Sequence, residues 1–186
     1  MFSTSSGLSL EERLPMDVLQ MVATHHERAD GSGYPQGLEN TAISIFGRIA
    51  GIVDSEVNEA ATHQVSLALL VLDIHQFGRI NIKHGYAAGD STLHAVAKVL
   101  GEVRREGDQV ARVGDNQFAL ILPGVLNSGH AELAAHKIQR LLDVPVYLEH
   151  DTIHCVADIG IALFPEHARG TDALLAAADE ALRRVQ

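Results

Sequence analysis

The sequence predicts an α+β fold, a mixed sheet flanked by helices with a helical segment in front of it, and three observations carry that prediction. Residues 66–73 (SLALLVLD) form a continuous apolar run of strand length, as in a strand buried on both faces. Leu93, Val96, Ala97, Leu100 and Val103 recur at helical spacing. Two short strand segments, residues 109–113 and 117–122, flank Gly114-Asp115-Asn116, three residue types that tolerate the positive backbone dihedrals of a tight hairpin. Strands and helices that interleave through both hairpin and crossover connections imply helices packed on a sheet.

Taken in order, the chain reads as two blocks, residues 1–58 and 59–186. The first holds a helical stretch over residues 10–25, a glycine-rich turn region over 30–37 and a second helical stretch beginning near Ala42. The second opens on the apolar strand, with Asp73 at its exit. Asp90 or Ser91 is placed to cap the next helix, because a short oxygen-bearing side chain satisfies a free amide at a helix start; that helix ends at Arg104-Arg105-Glu106-Gly107. After the hairpin come a helix over 130–142, a short strand near Val146, a longer strand over 152–163, and a final helix from Thr171 or Asp172.

Composition narrows the function. The formal net charge of -10 over 186 residues argues against nucleic acid, which needs clustered Lys and Arg on one face. A bound nucleotide would have to be held locally. The single cysteine, Cys155, excludes an internal disulfide and a multi-cysteine zinc site, and its apolar surroundings predict a reduced, buried thiol, consistent with a cytoplasmic protein. Neither a membrane span nor a secretion signal is read in the sequence. The eleven histidines are mostly dispersed without ligand spacing.

Three ordered segments resemble one family. LVLDIHQFGRINIKHGYAAGD (residues 70–90), ARVGDNQFALILP (residues 111–123) and HCVADIGIALFPEHARGTDALLAAADEAL (residues 154–182) are similar to the opening motif, the hairpin and the closing strand and helix of GGDEF (diguanylate cyclase) domains. The resemblance implies a palm-like sheet related to nucleotidyl cyclases. It also implies a chemistry in which a ribose hydroxyl attacks an α-phosphate, joining two GTP molecules across a dimer with metal ions neutralising the triphosphate.

Compared with that family, the sequence is short of charge where the metals belong. Asp73 stands at the first metal-binding aspartate, but the second is His75. In the hairpin Gly114 and Phe118 match, whereas Asp115 replaces the second glycine, Asn116 the metal-binding acid and Gln117 the neighbouring glutamate. Amides keep the shape of acids and lose their charge, and magnesium is held by carboxylate and phosphate oxygens. The expected lysines are Gly78 and Gln186. No catalytic residue is therefore expected, and magnesium only as a companion of bound GTP.

The resemblance implies that Asn81 and Asp90 read a guanine base, since an amide and a carboxylate meet its donor and acceptor edge. A helix-surface Asn and an N-cap Asp are the alternatives. Arg105 and Asp108 match the family's RxxD inhibitory site for cyclic di-GMP, with the planar guanidinium suited to guanine or phosphate. The alternative there is an exposed ion pair worth under about 1 kcal/mol.

The first block carries a second resemblance. HHERADGSGYP (residues 25–35) and GRIAGIVD (residues 47–54) are similar to HD-GYP phosphodiesterases, which implies metal ligation by His25, His26 and Asp54, with the upstream half of the metal cluster absent from this sequence. The alternative is a helical packing and dimerisation surface with Ile43, Ile45, Ile49, Ile52 and Val53 turned inward. The expected function is a catalytically inactive module of bacterial cyclic di-GMP signalling that binds cyclic di-GMP or GTP, with a homodimer or other signalling proteins as the expected partners. An active diguanylate cyclase and a residual metal-dependent phosphodiesterase are the alternatives.

Overall fold

The structure, a computed structural model, describes residues 45–148 and 151–186, with side chains from residue 49 onward. The helical and glycine-rich stretches expected over residues 10–25 and 30–37, with His25 and His26, lie outside the described residues. Val53–Gln186 forms one compact unit.

Helix α1 (Ile45–His63) buries Val53, Val57 and Ala60, which fall on one helical face, and runs without a break through residues 58 and 59. It ends at Gln64, whose φ of 56 lets Val65 N bond Ala60 O and Gln64 N bond Ala61 O. Ile52 is exposed, because it falls off the face shared by Val53 and Val57.

Strand β1 (Leu67–Ile74) follows, then helices α2 (Phe77–His84) and α3 (Tyr86–Val103), strands β2 (Gln109–Arg112) and β3 (Gln117–Pro123), and helix α4 (Ser128–Leu142). The short strands β4 (Val146–Tyr147) and β5 (Thr152–Ile153), strand β6 (Ala157–Phe164) and helix α5 (Thr171–Arg183) complete the chain. The main sheet has the order β2-β3-β1-β6, and β4 and β5 make a separate two-stranded ribbon.

The expected α+β class holds, but the sheet is antiparallel throughout rather than mixed. Each helical crossover does link two strands that point the same way, β1 to β2 and β3 to β6. In both cases another strand lies between the pair, so no parallel neighbours meet; this is the split βαβ arrangement of a βαββαβ unit.

β1 is central, which explains its unbroken apolar run. Ala68, Leu70, Leu72 and Ile74 face a core built with Leu93, Val96 and Leu100 of α3 and Ala131, Ile138 and Leu142 of α4. Helix α5 packs over β1 and β6 on the opposite face. Gly160 permits this: a Cβ there would collide with the carbonyl of Ala178 and the amide of Leu182. Each fully buried leucine contributes about 1.5–3 kcal/mol, so the strand anchors both layers. Cys155 is buried at the edge of the α3/α4 core, and burial pushes its thiol up to about 11.

Several element boundaries differ from expectation. Asp90 and Ser91 do not cap α3: the helix begins at Tyr86 after Gly85, whose φ of 83 makes the break with α2, and Ser91 Oγ donates back to Ala87 O inside the helix. α4 starts two residues earlier than read, at Ser128, because Asn127 Oδ1 accepts from His130 N. The strand expected over 152–163 is two strands interrupted by residues 154–156. None of Gly114, Asp115 and Asn116 has a positive φ, so Asp115 stands in backbone open to any residue. Among the described residues no helix is long and apolar enough to cross a membrane.

Candidate functional site

The antiparallel register brings the hairpin to the exit of β1. Asp73 lies directly opposite Gln117 on β3 and Asp158 on β6, so these three side chains form a row on one face of the sheet. Two carboxylates facing each other across a strand pair repel, and each needs its own compensation.

Asp73 obtains it from the hairpin. Asn116 Nδ2 donates to Asp73 Oδ1 at 2.7 Å and to the carbonyl of Ile74 at 3.2 Å, and Gln117 Nε2 donates to Asp73 Oδ2 at 2.8 Å. A carboxylate only accepts, so both amides must present their nitrogens to it. Backbone bonds fix the same closure: Ile74 N donates to Asn116 O at 3.0 Å and Val113 N to Gln117 O at 2.9 Å. Arg112 holds the turn from outside, donating to the carbonyls of Gly114 and Asp115 at 3.0 and 2.8 Å.

Asp158 is balanced by His75, whose Nδ1 lies 3.1 Å from Asp158 Oδ2. The acceptor carboxylate places the imidazole proton on Nδ1. His75 thus serves a neighbouring strand, where the resemblance has an aspartate serving a metal. One amide nitrogen bonds both Asp73 Oδ1 and Ile74 O, and the second acid of the hairpin is missing. A magnesium ion, which wants a near-octahedral oxygen shell, does not fit these residues. Among the described residues no three His, Cys, Asp or Glu side chains converge on a metal position.

The elbow between α2 and α3 is built differently. Asn81 lies one turn before Gly85, and its Oδ1 is buried with no hydrogen-bond partner among the described residues. Gly89 makes the space for it: a Cβ there would collide with Asn81 Oδ1 and crowd Phe77 Cζ at 3.2 Å. Asp90, next to Gly89, is exposed within the first turns of α3.

Arg105 and Asp108 share a tight turn between α3 and β2, with Gly107 at φ 90. The contact is not the side-chain ion pair considered from sequence. Asp108, 8% exposed, accepts from the backbone N–H of Arg105 at 2.8 Å, and its own N–H returns to Arg105 O at 3.2 Å. The guanidinium of Arg105 is left exposed.

Asp54 lies far from this end of the sheet in its bonding. Its Oδ1 accepts from Thr171 Oγ1 at 2.8 Å and its Oδ2 from Asn58 Nδ2 at 3.2 Å. Sequence reasoning missed the roles of Asp158, Arg112 and Gly89, and the bond of Thr171, which it had placed at a helix start, to Asp54. Gly89, Arg112 and Asp158 all lie within the three family-like segments, but nothing in those segments gave their contacts.

Comparison with known proteins places these features in a family. The model described as "Diguanylate cyclase, GGDEF domain" matches residues 48–186, and a model described as "HD domain" matches residues 5–64. Diguanylate cyclase TpbB of Pseudomonas aeruginosa is 36% identical over 133 residues, which are 71% of this chain and 31% of that protein. The chain thus spans about a third of the length of that curated relative. The crystal structure of the GGDEF domain of TpbB superposes with a TM-score of 0.70 at 35% identity, covering 73% of this chain and 85% of that one. The GGDEF domain of DgcB from Caulobacter crescentus, solved with cyclic di-GMP, shares the fold with a TM-score of 0.67 at 24% identity over 73% and 81% of the two chains.

Proposed function

The chain belongs to the GGDEF diguanylate cyclase family, and on that premise we propose that it acts as a catalytically silent guanine-nucleotide-binding module of cyclic di-GMP signalling. The observation that carries this reading is the bonding of Asp73, both of whose oxygens accept from the amides of Asn116 and Gln117. Joining two GTP molecules requires metal-assisted attack on a phosphate, and a lone carboxylate already shared with two internal donors, with no second acid from the hairpin, supplies a poor metal seat.

The base side supports retained binding. Asn81 Oδ1 is a buried acceptor without a partner, and such a group is costly unless a donor reaches it. A guanine edge, which offers N–H donors, is the partner the family resemblance assigns to Asn81 and Asp90. Arg105 adds an exposed guanidinium on a turn that Asp108 stiffens, which suits a ligand carrying guanine and phosphate. Cyclic di-GMP and GTP are the ligands of choice, and a homodimer or another signalling protein is the partner of choice in the cytoplasm.

Two assays test the reading. In the first, the chain is incubated with GTP and magnesium and product is sought by mass; no cyclic di-GMP is expected. In the second, cyclic di-GMP is titrated calorimetrically into the wild type and Arg105→Ala, with at least tenfold weaker binding expected in the variant. Equal heats in both, or none in either, remove the inhibitory-site assignment.

Active cyclisation is the second reading, favoured by the name of the 36% identical relative, a diguanylate cyclase. Product that forms in the wild type and disappears in Asp73→Asn would establish it. Residual phosphodiesterase action has less support, since Asp54 is engaged through both oxygens by Thr171 and Asn58.

A further inference from the structure

The N-terminus of α5 lacks a cap of its own. Its N-cap residue is Gly170, which makes no side-chain cap bond, and Asp172 in its first turn is exposed. A helix start with free N–H groups and a positive dipole end favours an anion beside it. Asp54 supplies one from 117 residues upstream: its Oδ1 accepts the hydroxyl proton of Thr171, the first residue of α5, at 2.8 Å.

The contact is sheltered on both sides. Thr171 is 8% exposed, and Val53, Val57 and Ala60, on the same helix as Asp54, are buried at 0, 5 and 3%. The second oxygen of Asp54 is held by Asn58 one turn further along α1, so the carboxylate is aimed rather than free to rotate. α5 in turn is seated on β1 and β6, with its backbone against Gly160.

We propose that Asp54 is a positioning residue that fastens α1 to the start of α5 through the Thr171 hydroxyl, with its charge beside the positive end of that helix, and that this duty replaces metal ligation. The segment carrying it, residues 48–64, is matched by both the HD and the GGDEF family models. A position whose resemblance implies phosphodiesterase chemistry therefore serves the architecture of the cyclase-like unit. The inference stands independently of whether nucleotide is bound or turned over.

A double-mutant cycle on the full chain tests it, using Asp54→Ala, Thr171→Ala and the pair. Each single change is expected to lower the folding equilibrium constant about fivefold, as loss of one partly buried hydrogen bond does, and the double change no more than the larger single one. Thr171→Ser, which keeps the hydroxyl, is expected to retain wild-type stability, a rescue that a packing role for the threonine methyl would not give. If the alanine variants fail to fold, the cycle is read with Asp54→Leu and Thr171→Val, which remove the acceptor and the hydroxyl at nearly constant volume. Manganese retained per chain after dialysis against manganese chloride, measured by elemental analysis, is expected to be the same for the wild type and Asp54→Asn. Additive losses, an unperturbed Asp54→Ala, or manganese that is lost in Asp54→Asn and kept in Thr171→Ala would overturn the proposal.

Discussion

The hairpin end of β1 and the elbow between α2 and α3 treat their polar atoms in opposite ways. At the hairpin every oxygen of Asp73 is matched by an internal amide donor. At the elbow Asn81 Oδ1 is buried with no partner among the described residues. A carboxylate already bonded through both oxygens gains less from a further partner than a bare one, whereas an unsatisfied acceptor costs about 1–3 kcal/mol until a donor arrives. The contrast teaches that the proposed binding without turnover would rest on hydrogen-bond accounting at two ends of a few turns of chain, within a fold that keeps its family's architecture.

The strongest way to break the contrast is to return acids to the hairpin. In Asn116→Asp with Gln117→Glu, two donors become acceptors facing Asp73, and the variant is expected to lose about 3 kcal/mol of stability in a chelator. Millimolar magnesium should restore much of that loss, while the wild type stays indifferent to the ion; urea denaturation with and without magnesium reads both. A variant as stable as the wild type in chelator would show that the amides are not holding Asp73.

Closing the elbow comes next in size. Gly89→Ala is expected to cost about 1–2 kcal/mol, the overpacking against Asn81 and Phe77 outweighing the better helix propensity of alanine, and to abolish GTP binding. Thermal unfolding and a fluorescent-GTP titration measure the two effects.

The smallest change sharpens the contrast most. Asn81→Ala removes an unpaired buried acceptor, so it is expected to stabilise the protein by about 1 kcal/mol while weakening GTP binding at least tenfold. Stability and affinity moving in opposite directions would identify the acceptor as a ligand group; a loss of both would make it structural.

Much of this architecture was legible in the residues. The run from Leu67 to Leu72 reads by its length as a strand covered on both faces, and the recurrence of Leu93, Val96 and Leu100 as one buried helical stripe, and both are found. The start of α3 was misread because Asp90-Ser91 is good cap chemistry, whereas the actual break depends on Gly85, a backbone effect with no side-chain signature. The antiparallel sheet was hidden because pattern tells which segments are strands but not which strand slides between two others. At the site, the loss of acids at Asn116 and Gln117 was readable, but their donation to Asp73 was not, since it depends on a register set by contacts 43 and 44 residues apart. Asp158 was missed because one carboxylate inside an apolar strand gives no hint that it lands opposite Asp73. The bond from Arg105 N–H to Asp108 was invisible for a related reason: sequence suggests charge pairs more readily than it suggests backbone partners.

The burial of Cys155 has a practical outcome. As the chain's sole thiol, 4% exposed and with its ionisation pushed to about 11, it is shielded from electrophiles while the domain stays closed. Its labelling by a maleimide therefore times spontaneous opening of the layer around α3 and α4, giving the molecule an internal stopwatch for its own unfolding.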